Sequence, residues 1–173
     1  MANNKGYLTA KTDKASDEYY TPKFAVLPIV KYIDSHKTIW CPFDTEDSQY
    51  VKCFREHGNN VIATHIDNGQ NFFFYEPTET YDVIVSNPPF SCKDAVLHRL
   101  TELKKPYAML LPLPTLQGQE RFNDLKNSEA LIFDKRINYY QDIQQTQMVQ
   151  GVAFASIYIC KGILPEKLIF EQL

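Results

Sequence analysis

Apolar and polar positions along the chain fall into short runs that predict alternating strands and helices. Residues 1 to about 17 are polar and predict a flexible N-terminal arm. Thr21-Pro22 reads as a helix start, with Thr capping and Pro in the first helical position. That helix is expected to reach about Asp34, with Phe24, Leu27 and Val30 on its apolar side and a kink at Pro28. Thr38 to Phe43 reads as a buried strand. Asp47 or Ser48 then caps a helix from Gln49 to His57, which Gly58 ends. Asn60 to Ile66 is a β-branched strand, and a loop over 67–71 leads into Phe72-Phe73-Phe74-Tyr75. The clearest strand is Tyr81 to Val85. A helix from Lys93 to Leu103 and a strand from Tyr107 to Leu111 follow.

Near-continuous apolar strands alternating with helices indicate an α/β fold with a mostly parallel sheet and helices on both faces. The last third differs. Ala130 to Phe133 and Gly151 to Ile159 read as strands with no helix between them, only the Gln-rich stretch 141–150. A helixless connection predicts an antiparallel pair at one sheet edge. That Gln-rich stretch reads as a mobile loop or as disordered. Residues 18–173 are expected to form a single domain, with nothing left over for a separate target-recognition domain.

Composition changes this picture little. Hydrophobic content of 44% and charged content of 23% are those of a soluble globular chain. No run is long enough to span a membrane, and the polar N-terminus lacks the apolar core of a secretory signal, so a cytoplasmic protein is expected. The four cysteines, Cys41, Cys53, Cys92 and Cys160, are scattered without metal-ligand spacing, which predicts reduced thiols and no metal. The net charge of −3 means that any nucleic-acid affinity must come from a few placed Lys and Arg, or from a partner chain.

One segment carries chemistry. Asn87-Pro88-Pro89-Phe90 follows the clearest strand directly, and so lies where open α/β sheets bind their ligands. By composition alone such a tetrapeptide arises about once in a hundred chains of this length. The Asn87 side-chain oxygen and the Pro88 carbonyl can each accept one hydrogen of a planar amino group. Two such acceptors localise a lone pair that is otherwise delocalised into a ring. Consecutive prolines hold the acceptors in place. Phe90 offers a face on which an extruded base can stack.

With these motifs the sequence resembles the N6-adenine DNA methyltransferases, in particular a compact group found in bacteriophages and prophages. The resemblance runs from Glu18 to the final strand. It implies the class I, Rossmann-like fold of S-adenosylmethionine-dependent methyltransferases, S-adenosylmethionine as methyl donor, and a flipped adenine in DNA as acceptor. Asn87, Pro88, Pro89 and Phe90 then form the catalytic turn. Tyr20, Thr21 and Pro22 would lie by the methionine carboxylate of the donor. Pro42-Phe43 match the cofactor loop, but Cys41 stands where an acid is common and no glycine follows. Asp44 is the replacement for contact with the donor's amine. Asp67, with His65 as competitor, corresponds to the ribose-binding acid. Asn71-Phe72 stand where the family has Asp-Phe beside the adenine ring. Tyr139 corresponds to the aromatic that stacks on the flipped base, with Arg136 and Lys93 as further DNA contacts.

Three other readings use the same residues. The Asn-Pro-Pro-aromatic turn also serves enzymes that methylate a glutamine amide in protein. RNA adenine is a chemically equivalent acceptor. The glycine-free cofactor loop also suits a weak or inactive methyltransferase fold kept as a nucleic-acid-binding subunit. With no separate recognition domain, specificity is expected to be loose or to depend on a homodimer or a partner chain.

Overall fold

The computed structural model of the protein describes residues 19–173; the expected N-terminal arm over 1–17 lies outside them. Its elements are α1 (Lys23–Val30), β1 (Thr38–Cys41), α2 (Gln49–Glu56), β2 (Asn60–Ala63), β3 (Val83–Ser86), α3 (Lys93–Leu103), β4 (Tyr107–Pro112), α4 (Phe122–Leu125), β5 (Glu129–Phe133), β6 (Ser156–Lys161) and β7 (Leu168–Glu171). Single 3₁₀ turns cover Ile66–Asn68, Phe90–Cys92 and Leu113–Leu116.

The seven strands form one sheet in the order β2-β1-β3-β4-β6-β5-β7. β2, β1, β3 and β4 are parallel neighbours, and β6 runs antiparallel to both β4 and β5. β7 pairs parallel with β5 and closes the far edge. This is the mostly parallel, Rossmann-like layout that was expected, and β5 and β6 form the expected antiparallel pair. The antiparallel strand is internal, however, because β7 adds a further strand beyond β5.

Alternation along the central strands divides the core into two layers. Ile39, Val85, Leu110 and Tyr158 face α1 and α2, where Ala25, Val26, Ile29, Val51 and Phe54 cover them. Trp40, Ile84, Met109 and Ile157 face the opposite layer, covered by Val96, Leu97 and Leu100 of α3. A buried polar chain ties the first layer together: the Tyr50 and Tyr158 hydroxyls lie 2.9 Å apart, and Tyr158 donates to the Ala25 carbonyl.

The first helix departs from expectation. It stops at Val30, and Phe24 and Leu27 are 40% and 48% exposed. The segment Lys23–Val30 is apolar on every side, so periodicity does not choose a face. The sheet takes the small and β-branched residues Ala25, Val26, Ile29 and Val30, which pack closest. Thr21 does not cap the helix. Pro22 occupies the N-cap without a side-chain bond, and Thr21 is buried with its carbonyl accepting from Gln145 Nε2. The second helix follows expectation, its N-terminus capped by Ser48 Oγ accepting from the Val51 amide.

Candidate active site

Because β1, β2 and β3 are parallel neighbours, their C-terminal ends open side by side. Each exit carries residues singled out in the sequence. β3 leads into Asn87-Pro88-Pro89-Phe90, and the chain then turns through Phe90–Cys92 directly into α3. Neither proline can donate to a ladder, so the strand must end here and the turn is stiff. Asn87 Nδ2 donates to the Tyr19 carbonyl at 3.4 Å, which orients the amide. Its Oδ1 is buried and accepts no hydrogen bond. A buried acceptor left without a partner costs about 1–3 kcal/mol. Folding gains nothing from this arrangement, whereas a ligand bearing an N–H donor would satisfy it.

The exit of β1 carries Pro42, Phe43 and Asp44. The Asp44 amide donates to the Thr64 carbonyl at 3.2 Å, holding the loop against the end of β2. Its carboxylate is buried and accepts from the hydroxyl of Ser86, the residue before Asn87. Burial pushes the Asp44 pKa up to about 6, and hydrogen bonds from Ser86 and Ser48 partly oppose the rise. One hydroxyl therefore joins the acid of the first exit to the Asn87-Pro88-Pro89-Phe90 turn of the third.

The exit of β2 places His65 and Asp67 together. His65 Nδ1 accepts from the Asp67 amide at 3.2 Å and lies 3.5 Å from its Oδ2. Asp67 is exposed, on a turn that Gly69 closes at φ +76°. The two candidates for the ribose position thus share one turn.

The segment that begins at Tyr19 meets the β3 exit, where the Tyr19 carbonyl accepts from Asn87. Tyr20 exchanges backbone hydrogen bonds with Tyr140, and Tyr140 bridges on to Met148. The Gln-rich stretch is therefore a short hairpin that pins the Tyr20-Thr21-Pro22 segment. Asp142 organises its turn by accepting from the Thr146 and Gln147 amides.

Several expected contacts fall elsewhere. Phe72 is buried against Trp40 and Phe43, with ring centroids 5.4 and 5.0 Å away, and shows no face to a ligand. Asn71 Oδ1 accepts from the Phe73 amide at 3.0 Å, closing a local turn. Phe43, half-buried over Phe72, is the aromatic nearer the surface. Tyr139 is fully buried, and its hydroxyl donates to Ser156 Oγ at 2.7 Å, so its ring belongs to the core. Arg136 is exposed and donates to the Val152 carbonyl. Lys93 is half-buried at the first position of α3, three residues after Phe90.

Phe154, rather than Tyr139, is the aromatic that meets Phe90. It is half-buried, and its ring meets Phe90 edge-on at 5.1 Å and Tyr19 at 5.7 Å. The apolar run Gly151 to Ile159 reads as one strand, but β6 begins only at Ser156, so Phe154 sits on the loop before it. The small neighbours Ala153 and Ala155 were the available signal. Among the described residues no group of three or more His, Cys, Asp and Glu could hold a metal ion, and Cys41, Cys53, Cys92 and Cys160 form no disulfide.

No family model and no curated protein matches the sequence. Among solved structures, the fold is similar to a modification subunit assigned to a type I restriction enzyme from Vibrio vulnificus YJ016. The TM-score is 0.58 at 14% sequence identity, covering 97% of this chain and 49% of that one. The protein thus shares the fold of that modification subunit and spans about half its length.

Proposed function

We propose that the protein transfers a methyl group from S-adenosylmethionine to the N6 amino group of adenine in DNA. The observation that carries this reading is the buried, unpartnered Oδ1 of Asn87 at the end of a central parallel strand. An exocyclic amino group supplies the missing donor. Asn87 Oδ1 takes one of its hydrogens and the Pro88 carbonyl the other, localising the nitrogen lone pair. Phe90 and Phe154 flank the base.

The donor set also fits the methyl donor. Asp44 would hold its amine, since a buried carboxylate is relieved by a cationic partner. Asp67 and His65 would hold its ribose, and Tyr20 to Pro22 its carboxylate end. Phe43, rather than Phe72, is the aromatic positioned for its ring system. S-adenosylmethionine, when bound there, supplies an electrophilic methyl group. Lys93 and Arg136 are the proposed phosphate contacts. Specificity for a target sequence would come from a second copy or a partner chain.

Titration calorimetry with S-adenosylmethionine, together with mass spectrometry of treated DNA, tests the proposal. Saturable binding and N6-methyladenine are expected. The engaged Asn71 and the buried Phe72 favour one second reading, a fold that binds nucleic acid without turnover. DNA binding with neither cofactor heat nor modified base would select it.

A further inference from the structure

The loop between β4 and α4 is rigidly held yet apolar at its tips. Leu113 and Leu116 are 39% and 41% exposed. Side chains three residues apart on a 3₁₀ turn lie one above the other, so the two leucines expose a joint apolar patch. Here the loop is fastened from inside. Arg121 Nε donates to Asp94 Oδ1, and Nη1 donates to the Gln117 carbonyl at 2.7 Å and to the Thr115 carbonyl at 3.5 Å. Gly118 leaves room for that guanidinium, since a Cβ there would overlap Nη1. Asp94 lies in the first turn of α3, four residues after Phe90. The clamp therefore fixes the loop to the helix that begins at the catalytic turn.

Register places the loop beside the proposed base site. Ser86 pairs with Met109, and β4 runs three residues further before Leu113. At the rise of an extended chain the loop starts about 10 Å beyond the level of Ser86. The Leu113 amide donates to the Ala155 carbonyl at 2.8 Å, next to Phe154, whose ring meets Phe90. The turn Leu113–Leu116 thus follows the strand that neighbours β3, and its first amide is fixed to the residue after Phe154.

We infer that Leu113 and Leu116 form an apolar wedge that contacts the paired bases beside an extruded adenine, and that Arg121 is its positioning residue. This rests on the proposed methyl transfer to DNA. Extruding a base breaks its stacking, and apolar side chains can cover the faces left behind. A strand already unpaired needs no such cover.

The test compares native with heat-denatured genomic DNA from one preparation, so no target sequence need be known. Methyl incorporation is measured on both forms for wild type, the double variant Leu113→Ala/Leu116→Ala, and Arg121→Ala. The native-to-denatured rate ratio is expected to fall about tenfold or more in both variants, the loss of a modest stacking contribution. A partly misfolded preparation lowers both rates equally and leaves the ratio intact. An unchanged ratio overturns the inference while the methylation reading stands. Wild-type protein that methylates neither form overturns that reading, and the wedge with it.

Discussion

At the residue scale the proposed chemistry rests on two side chains. Asn87 carries the open acceptor, and Asp44 carries a carboxylate whose pKa burial raises to about 6. A pKa raised in the folded state means that the folded protein holds a proton that the unfolded chain has released. The resulting stabilisation is present below about pH 4 and is lost as pH rises through about 6. Moving a carboxyl from about 4 to about 6 corresponds to about 3 kcal/mol. Asp44→Asn removes this dependence. Wild-type stability relative to Asp44→Asn should therefore fall by an amount of that order between pH 4 and pH 6.5, measured by urea unfolding. A cationic ligand reverses the preference, so S-adenosylmethionine affinity should rise through pH 6 in wild type and stay flat in Asp44→Asn. Tyr139 makes a different prediction. Tyr139→Phe leaves the buried Ser156 hydroxyl without its donor and should cost about 1–2 kcal/mol in the urea midpoint. Methyl transfer per folded molecule should be unchanged. The burial of Tyr139 was legible in part: Ile137 and Tyr139 point inward while Asn138 and Tyr140 do not, a period of two that the basic residues before it obscure.

Elements were most legible where one force set both their ends. α3 runs over the expected Lys93–Leu103, because the rigid turn starts it and a left-handed Lys104 stops it. Strand positions through β4 followed from their apolar runs. The face of α1 did not, because Lys23–Val30 offers apolar residues all round. β7 was missed because it is four residues long and lies beyond Pro165. Its place is fixed from elsewhere in the chain. Glu129 accepts from the amides of Gly162, Ile163 and Leu164, shaping the turn that returns the chain to the sheet edge. Glu129→Ala should lower stability by about 1–3 kcal/mol, read from the urea midpoint. The hairpin at the other end makes an exchange prediction. Asp142→Ala removes the acceptor that closes its turn, so amide exchange at Tyr20 and Tyr140 should rise while the urea midpoint stays put. Equal protection in the variant would show that the hairpin does not hold the Tyr20 to Pro22 segment.

On the scale of the whole molecule, the parallel strands bring distant parts of the sequence to one edge. Asp44, His65, Asp67 and Asn87 span over forty positions in the chain and emerge from three adjacent strands. The motif was readable because prolines beside an apolar strand announce the edge. The Ser86 link between Asp44 and the turn was not, since it depends on the pairing of β1 with β3. Nor was the Phe90–Phe154 contact, which needs β6 to run back beside β4. The proposed chemistry as a whole turns on Asn87. The direct measurement is N6-methyladenine formed in DNA by wild type and by Asn87→Ala, with S-adenosylmethionine binding followed by calorimetry on both. Wild type should transfer the methyl group, the variant should lose at least about a hundredfold in rate, and cofactor affinity should be nearly unchanged. A variant that methylates adenine as fast as wild type would remove Asn87 from the centre of the reaction.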